Sequence, residues 1–520
     1  MVTHRASRVA LSLLLLTVSG CVSVSRTGGI RNVQREVAEA SRAAPPFVDP
    51  TDGAAVDASV AELLATPLTP AASVRVAFLR NPLVLEALAR VGLSQADVVA
   101  ASRITNPVIS GSVITGAGER QVIGGIAQPI TELLLLSARK HLAAGEYERT
   151  QHLVSAALLD LARDTEAAWY RYVSAEQVRT MREAVTHSAE ASAVLAQRFF
   201  DAGNISELDL TLNQAEAAQA RIASLRAAAE ARAAKFDLQQ RMGLSGYPEW
   251  HAVSDLPAPV AISPAADPLV TLAHDRRADL VAARQEVALL DDALRVVRQW
   301  RWLGTVEVGV ERERETDGRT LTGPTLALAL PIFNRGQAGI ARAEAALEQS
   351  RARLRVLEAS VDNAIRLGLD RLMIAQQVAE EYRQSLVPER ALIVKRQQER
   401  QNFMFIGQFE LLLSKQQQYD TYQSYLEAVR DYWLARVFLV RSVGADLPSA
   451  TEASGPGVGV DSILQAPADS MEHGDNSHQR SHTMASPPEP GDPVMPGMAG
   501  MPHPTHETSD TPSAPRGHRP

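Results

Sequence analysis

Residues 305–340 read TVEVGVERERETDGRTLTGPTLALALPIFNRGQAGI, and the alternation inside them decides the fold. Val306, Val308 and Val310 alternate with Thr305, Glu307, Gly309 and Glu311. Successive side chains of a strand point to opposite faces, so this strand carries one apolar and one acidic face. Asp317-Gly318 supplies a hairpin turn. Thr325, Ala327 and Ala329 then alternate with Leu326, Leu328 and Leu330. Beyond the hairpin the period changes. Ile340, Leu347, Leu354, Leu357, Val361 and Ala364 step by 7, 7, 3, 4 and 3, the spacing of a coiled coil. A two-faced hairpin thus runs directly into a long helix.

The same plan is written once before. A less regular hairpin reads as Val108–Thr115, a Gly116–Arg120 turn and Gln121–Gln128. Ala127-Gln128-Pro129-Ile130 leads out of it, as Ala329-Leu330-Pro331-Ile332-Phe333 does 202 positions later. A helix expected from about Glu132 to Phe200 follows, with Val154, Leu158, Leu161, Thr165, Ala168 and Tyr172 at coiled-coil steps. At 1.5 Å per residue such a helix is on the order of 100 Å long. Gly203 and Asn204 interrupt the first helical stretch, Ile406 and Gly407 the second, and Gly203 and Gly407 are expected to permit the tight backbone reversals. The shorter helices Ser73–Arg103 and Glu207–Met242 together match the long one, and Pro268–Arg301 with Phe409–Val443 repeats that sum. The chain is read as two repeats, 71–245 with a hairpin near 105–130, and 246–445 with a hairpin near 303–332.

A hairpin apolar on one side and polar on the other fits a membrane barrel strand, lipid outside and water inside; each segment has about the 9–11 residues that a tilted span needs. The competing reading, a soluble sheet with one wet face, is disfavoured by the export signal and the very long helices. Four strands do not close a barrel, and open edges are not tolerated in lipid. Each subunit must then donate its strands to one shared barrel; two, three or four copies satisfy this argument. Glu307 and Glu311 would line its lumen, while Arg312 and Arg314 would stand on the lipid side at the outer end, where lipopolysaccharide phosphates could pair with them.

The ends of the chain give compartment and chemistry. His4, Arg5 and Arg8 precede an apolar stretch, Val9 to Val18, too short to span a bilayer, and Val18-Ser19-Gly20-Cys21 resembles a bacterial lipobox. Residues 1–20 are read as a signal peptide and Cys21, the one cysteine, as the lipidation site, with outer-membrane sorting expected because Val22 follows it. Residues 21–70, with Pro45, Pro46, Pro50, Pro67 and Pro70, are read as an extended arm, and 446–520 as a disordered tail rich in His, Met and Pro. In that tail Met495, Met498 and Met501 are spaced by three, as are His503 and His506. Thioethers suit Cu(I) or Ag(I) and imidazoles Cu(II), Zn(II) or Ni(II), so the tail is a candidate for transient metal capture, copper first. No cofactor is otherwise required. A net charge of −8 without basic blocks argues against a nucleic-acid partner. His141, His152, His187, His251 and His274 show no metal-ligand spacing, and no catalytic constellation stands out; an enzyme is not expected.

The duplicated plan, the Gln128-Pro129-Ile130 and Leu330-Pro331-Ile332-Phe333 strand ends, the Gly-containing turns and the segment His274–Ala283 together resemble the TolC-like outer-membrane efflux protein family over roughly 71–445. Ala278 stands where that family's Arg-Pro-Asp-Leu segment has Pro. Pro331–Ala345 is most similar to the heavy-metal (CzcC-type) branch, although where that branch often has a Glu-Leu-Gly-Gly-Lys-Arg-like stretch this chain has Glu132–Lys140, with an apolar run from Leu133 to Leu136. The resemblance implies a mostly α protein with a small β part: a homotrimer whose four strands per subunit build one transmembrane β-barrel above a periplasmic coiled-coil α-barrel. It implies a tripartite pump, with a periplasmic adaptor meeting the Gly203-Asn204 and Ile406-Gly407 turns and an inner-membrane transporter supplying the energy. The cargo expected is a heavy-metal cation such as copper, silver, zinc or cobalt; the alternative is an exit duct for drugs or other organic solutes with an inert tail.

Overall fold

The computed structural model describes residues 28–43, 53–116, 119–245, 249–260, 262, 265–447 and 457–460. Cys21, Met495, Met498, Met501, His503 and His506 lie outside them. In chain order the elements are α1 (Gly28–Ala40), α2 (Gly53–Leu64), α3 (Pro70–Arg80), α4 (Pro82–Ala101), β1 (Val108–Gly116), β2 (Glu119–Pro129), α5 (Ile130–Leu134), α6 (Leu136–Asp201), α7 (Glu207–Met242), α8 (Ala266–Arg276), α9 (Ala278–Trp300), β3 (Val306–Arg314), β4 (Thr320–Leu328), α10 (Gln337–Glu381), a π-helical turn (Tyr382–Leu386), α11 (Val387–Asn402) and α12 (Gln408–Val443). No described helix is long and apolar enough to cross a membrane.

The two repeats superimpose in plan. Helix α6 has 66 residues. Its counterpart, α10 with the π turn and α11, runs on without a break through segments of 45, 5 and 16. Helices α7 and α12 have 36 residues each and end on left-handed glycines, Gly243 and Gly444, 201 positions apart. Helix α6 is the central strut, packed on α7, α9, α4 and α12. The coiled-coil stripe read from the sequence is its inner face: Val154, Leu158, Thr165, Ala168 and Tyr172 are buried.

Four expectations need correction. The long helix of the first repeat does not run unbroken from Glu132; Leu135 separates α5 from α6. The first short helix of each repeat is two helices. Asn81 and Arg277, both extended, separate α3 from α4 and α8 from α9. Pro82 lacks the N–H that would continue α3, and Asn81 Oδ1 accepts from Leu83 N at 2.9 Å to start α4. Each break also closes the opposite helix. Asn81 Nδ2 donates to Arg241 O at 2.6 Å near the end of α7, and Arg277 Nη1 donates to Ser442 O at 2.6 Å near the end of α12.

The arm at 21–70 is not extended throughout. Ile30, Val33 and Val37 are spaced 3 and 4 apart, a helical face, and α1 buries Val33 and Val37 against Val84, Leu88, Val91, Val154 and Leu158. Helix α2 likewise buries Val56 and Val60. The tail does not begin at 446. Asp446 Oδ1 accepts from Arg163 Nη2 at 2.6 Å and Asp446 Oδ2 from Arg42 N at 2.9 Å. Val458 exchanges backbone hydrogen bonds with Leu256 and accepts a third, 2.8 Å long, from Gln177 Nε2. Two apolar residues, Val458 and Val460, were enough to dock this stretch amid Pro- and Gly-rich sequence.

Midway along the helices lies the main core. Trp169 and Tyr170 pack edge to face, and Tyr170 stacks on Trp433 with centroids 5.2 Å apart. Buried indole N–H groups need acceptors; Trp169 Nε1 donates to Leu68 O at 2.8 Å and Trp433 Nε1 to Pro257 O at 2.7 Å. The connecting segment 249–260 is thereby held by Trp433 directly and by Trp169 through Leu68, which exchanges backbone hydrogen bonds with His251 and Val253.

Candidate functional site

The sheet is a single antiparallel layer in the order β1-β2-β3-β4, so the hairpins of the two repeats join through β2 and β3. The register fixes which residues share a face. Val108↔Ala127, Ser110↔Gly125 and Ser112↔Ile123 stand on one face of the first hairpin. Gly125↔Glu311 and Ile123↔Glu313 continue that face onto β3, and Glu311↔Gly323 and Gly309↔Thr325 onto β4. The other face holds Ile109, Val113, Val122, Ile126, Val306, Val308, Val310, Leu326 and Leu328.

The two faces differ in curvature as well as chemistry. Along β2 and β3 the residues of the first face are mostly half-buried, whereas those of the apolar face are mostly exposed. Ile109 is 81% and Leu326 71% exposed. The sheet therefore curls with its polar face concave. Gly309 is where it closes most tightly: a Cβ there would lie 2.6 Å from Ile126 O, so only glycine fits. Glu307 and Glu311 both fall on the concave face, and Glu313, which the sequence reading passed over, joins them and is hydrogen-bonded by Gln121. The period-2 rule that selects Glu307 and Glu311 also selects Glu313.

At the base of the sheet Thr131 ties helix to strand. Its Oγ1 donates to Gly304 O at 3.0 Å and accepts from Val306 N at 2.8 Å. Gln128 Nε2 donates to Thr105 O at 2.9 Å beside it.

The helical turns close the opposite ends of the long helices. Gly203 is left-handed at φ +76°, and its N–H and that of Asn204 donate to Phe200 O and Phe199 O, both at 2.8 Å. Ser206 and Asp209 then form a capping box that starts α7. The second turn differs from the expectation. Gly407 has an ordinary extended backbone at φ −74° and merely precedes α12. The left-handed residue is Met404, at φ +60°, 201 positions after Gly203. Nothing in methionine's chemistry announces that conformation, so the sequence pointed to the glycine instead. Phe403, Met404 and Phe405 are 73%, 92% and 74% exposed, an apolar tip where the first repeat has Ala202, Gly203 and Asn204.

The histidines stay apart. His141, His152 and His274 each meet one carboxylate, Asp292, Glu36 and Asp362, at 3.1, 2.8 and 2.7 Å. Among the described residues no group of three metal-ligating side chains forms.

No family model matches the chain, and no characterised protein matches it in sequence. Solved structures do match its fold. CusC, described for its transmembrane channel formation, superimposes with a TM-score of 0.59 at 15% identity, over 75% of this chain and 92% of CusC. The outer membrane protein VceC of Vibrio cholerae gives 0.59 at 14% identity, over 75% and 96%. The MtrE outer membrane channel of Neisseria gonorrhoeae, in its open state, gives 0.58 at 15%, over 72% and 88%. At such identities the likeness defines the fold: this chain is built on the plan of these outer-membrane proteins.

Proposed function

We propose that the protein is an outer-membrane exit duct, a homotrimer whose three sheets close one twelve-stranded barrel over a tunnel of long helices. The observation that carries this is the curl of the sheet. An open sheet with unpaired edges at β1 and β4, exposed apolar residues on its convex face and carboxylates on its concave face is complete only as part of a closed barrel in lipid. Lipidation at Cys21 adds a second hold on the membrane. The duct catalyses nothing; a periplasmic adaptor and an inner-membrane transporter deliver the cargo to the Gly203-Asn204 and Ile406-Gly407 turns.

The cargo proposed is a heavy-metal cation, copper or silver first. Support comes from Glu307, Glu311 and Glu313 on the concave face and from Met495, Met498, Met501, His503 and His506 in the tail. The test is single-channel recording in planar bilayers. The wild-type protein should conduct with a preference for cations, and the combined Glu307→Gln, Glu311→Gln, Glu313→Gln variant should lose most of it. A protein that forms no channel, or a variant with unaltered selectivity, refutes the assignment of the concave face. Deletion of the gene should lower copper or silver tolerance; if only tolerance to organic toxicants falls, the cargo is organic.

A further inference from the structure

The convex face carries a second pattern. Among the described strand side chains, Glu307, Glu311 and Glu313 stand on the concave face, while Arg120, Arg312 and Arg314 all stand on the convex one. The register brings the three arginines together across the seam between the repeats. Arg314 pairs with Val122, so Arg120, two residues before Val122 on β2, is its diagonal neighbour, with Cα atoms about 7–8 Å apart. Arg312 lies two residues back along β3, about 7 Å away. Thr115 pairs with Arg120, Thr322 with Arg312 and Thr320 with Arg314, so a hydroxyl flanks each cation. All three arginines are exposed, and none has an acidic partner among the described residues.

Their place along the strands is as telling as their grouping. They lie at the hairpin-loop end, away from Thr131 and the helices, and Val306, Val308 and Val310 precede them on the same face. Strands β2 and β3 are interior to the sheet, so these neighbours are fixed within one chain whatever the number of subunits. An apolar band capped by three exposed guanidinium groups matches an amphiphile with acyl chains below and phosphate above. Guanidinium forks bind phosphate oxygens bidentately.

We infer that Arg120, Arg312 and Arg314 form a binding site for the phosphates of a phosphorylated glycolipid of the outer leaflet, of the lipid A type. This rests on the proposal that the convex face meets lipid. The experiment uses the full-length protein in nanodiscs, probed by native mass spectrometry with diphosphorylated lipid A, its dephosphorylated form, and inorganic phosphate as competitor. Wild type should retain diphosphorylated lipid A. The Arg120→Gln, Arg312→Gln, Arg314→Gln variant should bind it roughly fivefold more weakly per arginine, on the order of a hundredfold in all. The corresponding triple Lys variant should keep much of the affinity, showing that loss in the Gln variant is not misfolding. Equal binding by the Gln variant, equal binding of dephosphorylated lipid A, or displacement by inorganic phosphate at matched phosphate concentration overturns the inference. If the wild-type protein inserts into no bilayer at all, the membrane assignment itself fails, and the inference with it; an inserted, heat-modifiable barrel with no phosphate preference overturns only the inference.

Discussion

Three glycines of the helical region should respond to alanine in a fixed order that the backbone angles and nearby atoms dictate. Gly407 is extended, with nothing within 4 Å of a new Cβ. It precedes α12, where glycine is a modestly better cap than alanine, and the entropy removed from the unfolded chain offsets that; Gly407→Ala should change local stability by less than about 0.5 kcal/mol. Gly203 also faces open space but sits at φ +76°. A Cβ there meets only its own backbone, which costs roughly 1–2 kcal/mol. Gly243 combines both penalties. Its φ is +70°, and a Cβ would lie 2.6 Å from Arg80 O and 2.9 Å from Asn81 Cα. Backbone cannot swing aside as a side-chain tip can, so an overpacking cost of about 1–3 kcal/mol adds to the strain, about 2–5 kcal/mol in all. Hydrogen exchange by mass spectrometry on peptides spanning each turn reads these opening energies locally, where a melting temperature of so long a protein would dilute them. Gly243→Ala should also speed exchange near Asn81, because the two junction halves are hydrogen-bonded. A Gly407→Ala variant as damaged as Gly203→Ala would refute the backbone assignment of the second turn.

The His152–Glu36 pair should make the docking of α1 pH-dependent. The hydrogen bond to Glu36 raises the His152 pKa against the effect of burial, while for Glu36 burial pushes upward but the bonds from His152 and Ser155 prevail and hold it low. The imidazolium contribution is full below about pH 6.5 and lost as pH rises through the raised value; the carboxylate contribution is full above about pH 4.5 and lost as pH falls through the lowered one. Proteolysis within 28–43 should therefore be slowest between those limits, and in His152→Ala the dependence on the alkaline side should vanish. Trp169→Phe should destabilise the main core by about 1–3 kcal/mol, through lost volume and the lost indole bond to Leu68 O, which keeps its bond from Val253 N, and be seen as a lower unfolding midpoint of the solubilised protein. A chain ending after 456 should have a lower unfolding midpoint than one ending after 460, because Gln177 and Leu256 lose their bonds to Val458; identical midpoints would count against the docking of 457–460.

What the sequence disclosed depended on the range of the interaction. The hairpins were legible because period-2 alternation is local; Val306, Val308 and Val310 against Glu307 and Glu311 need no tertiary knowledge. The long helices and the first turn were legible for the same reason, whereas the second turn was placed on Gly407 although Met404 makes the reversal. Asn81-Pro82 carried a break signal that the helical composition on both sides obscured, while Arg277-Ala278 carried none, since its break is held by a side chain reaching α12. Helix α1 was hidden by the prolines that follow it, although Ile30, Val33 and Val37 kept a helical beat. The arginine group was legible only in part: Arg312 and Arg314 share the parity of Val306, Val308 and Val310, but Arg120 joins them only through the fold. Arg120 and Arg314 stand far apart in sequence, and only the pairing of β2 with β3 makes them neighbours.

The π turn at Tyr382–Leu386 has a consequence for symmetry. An α-helix advances its side chains by about 100° per residue, and a π turn absorbs one residue without that advance. Residues 387–402 are thus rotated about a quarter-turn or more, relative to the phase an unbroken helix would give them, while no such slip occurs in α6. Two repeats of equal length consequently carry the residues next to their tips in different helical phases. In a trimer the six turns at the mouth would then form two interleaved rings of three, one polar around Gly203 and one apolar around Met404, and a docking partner would meet a threefold lock rather than a sixfold one.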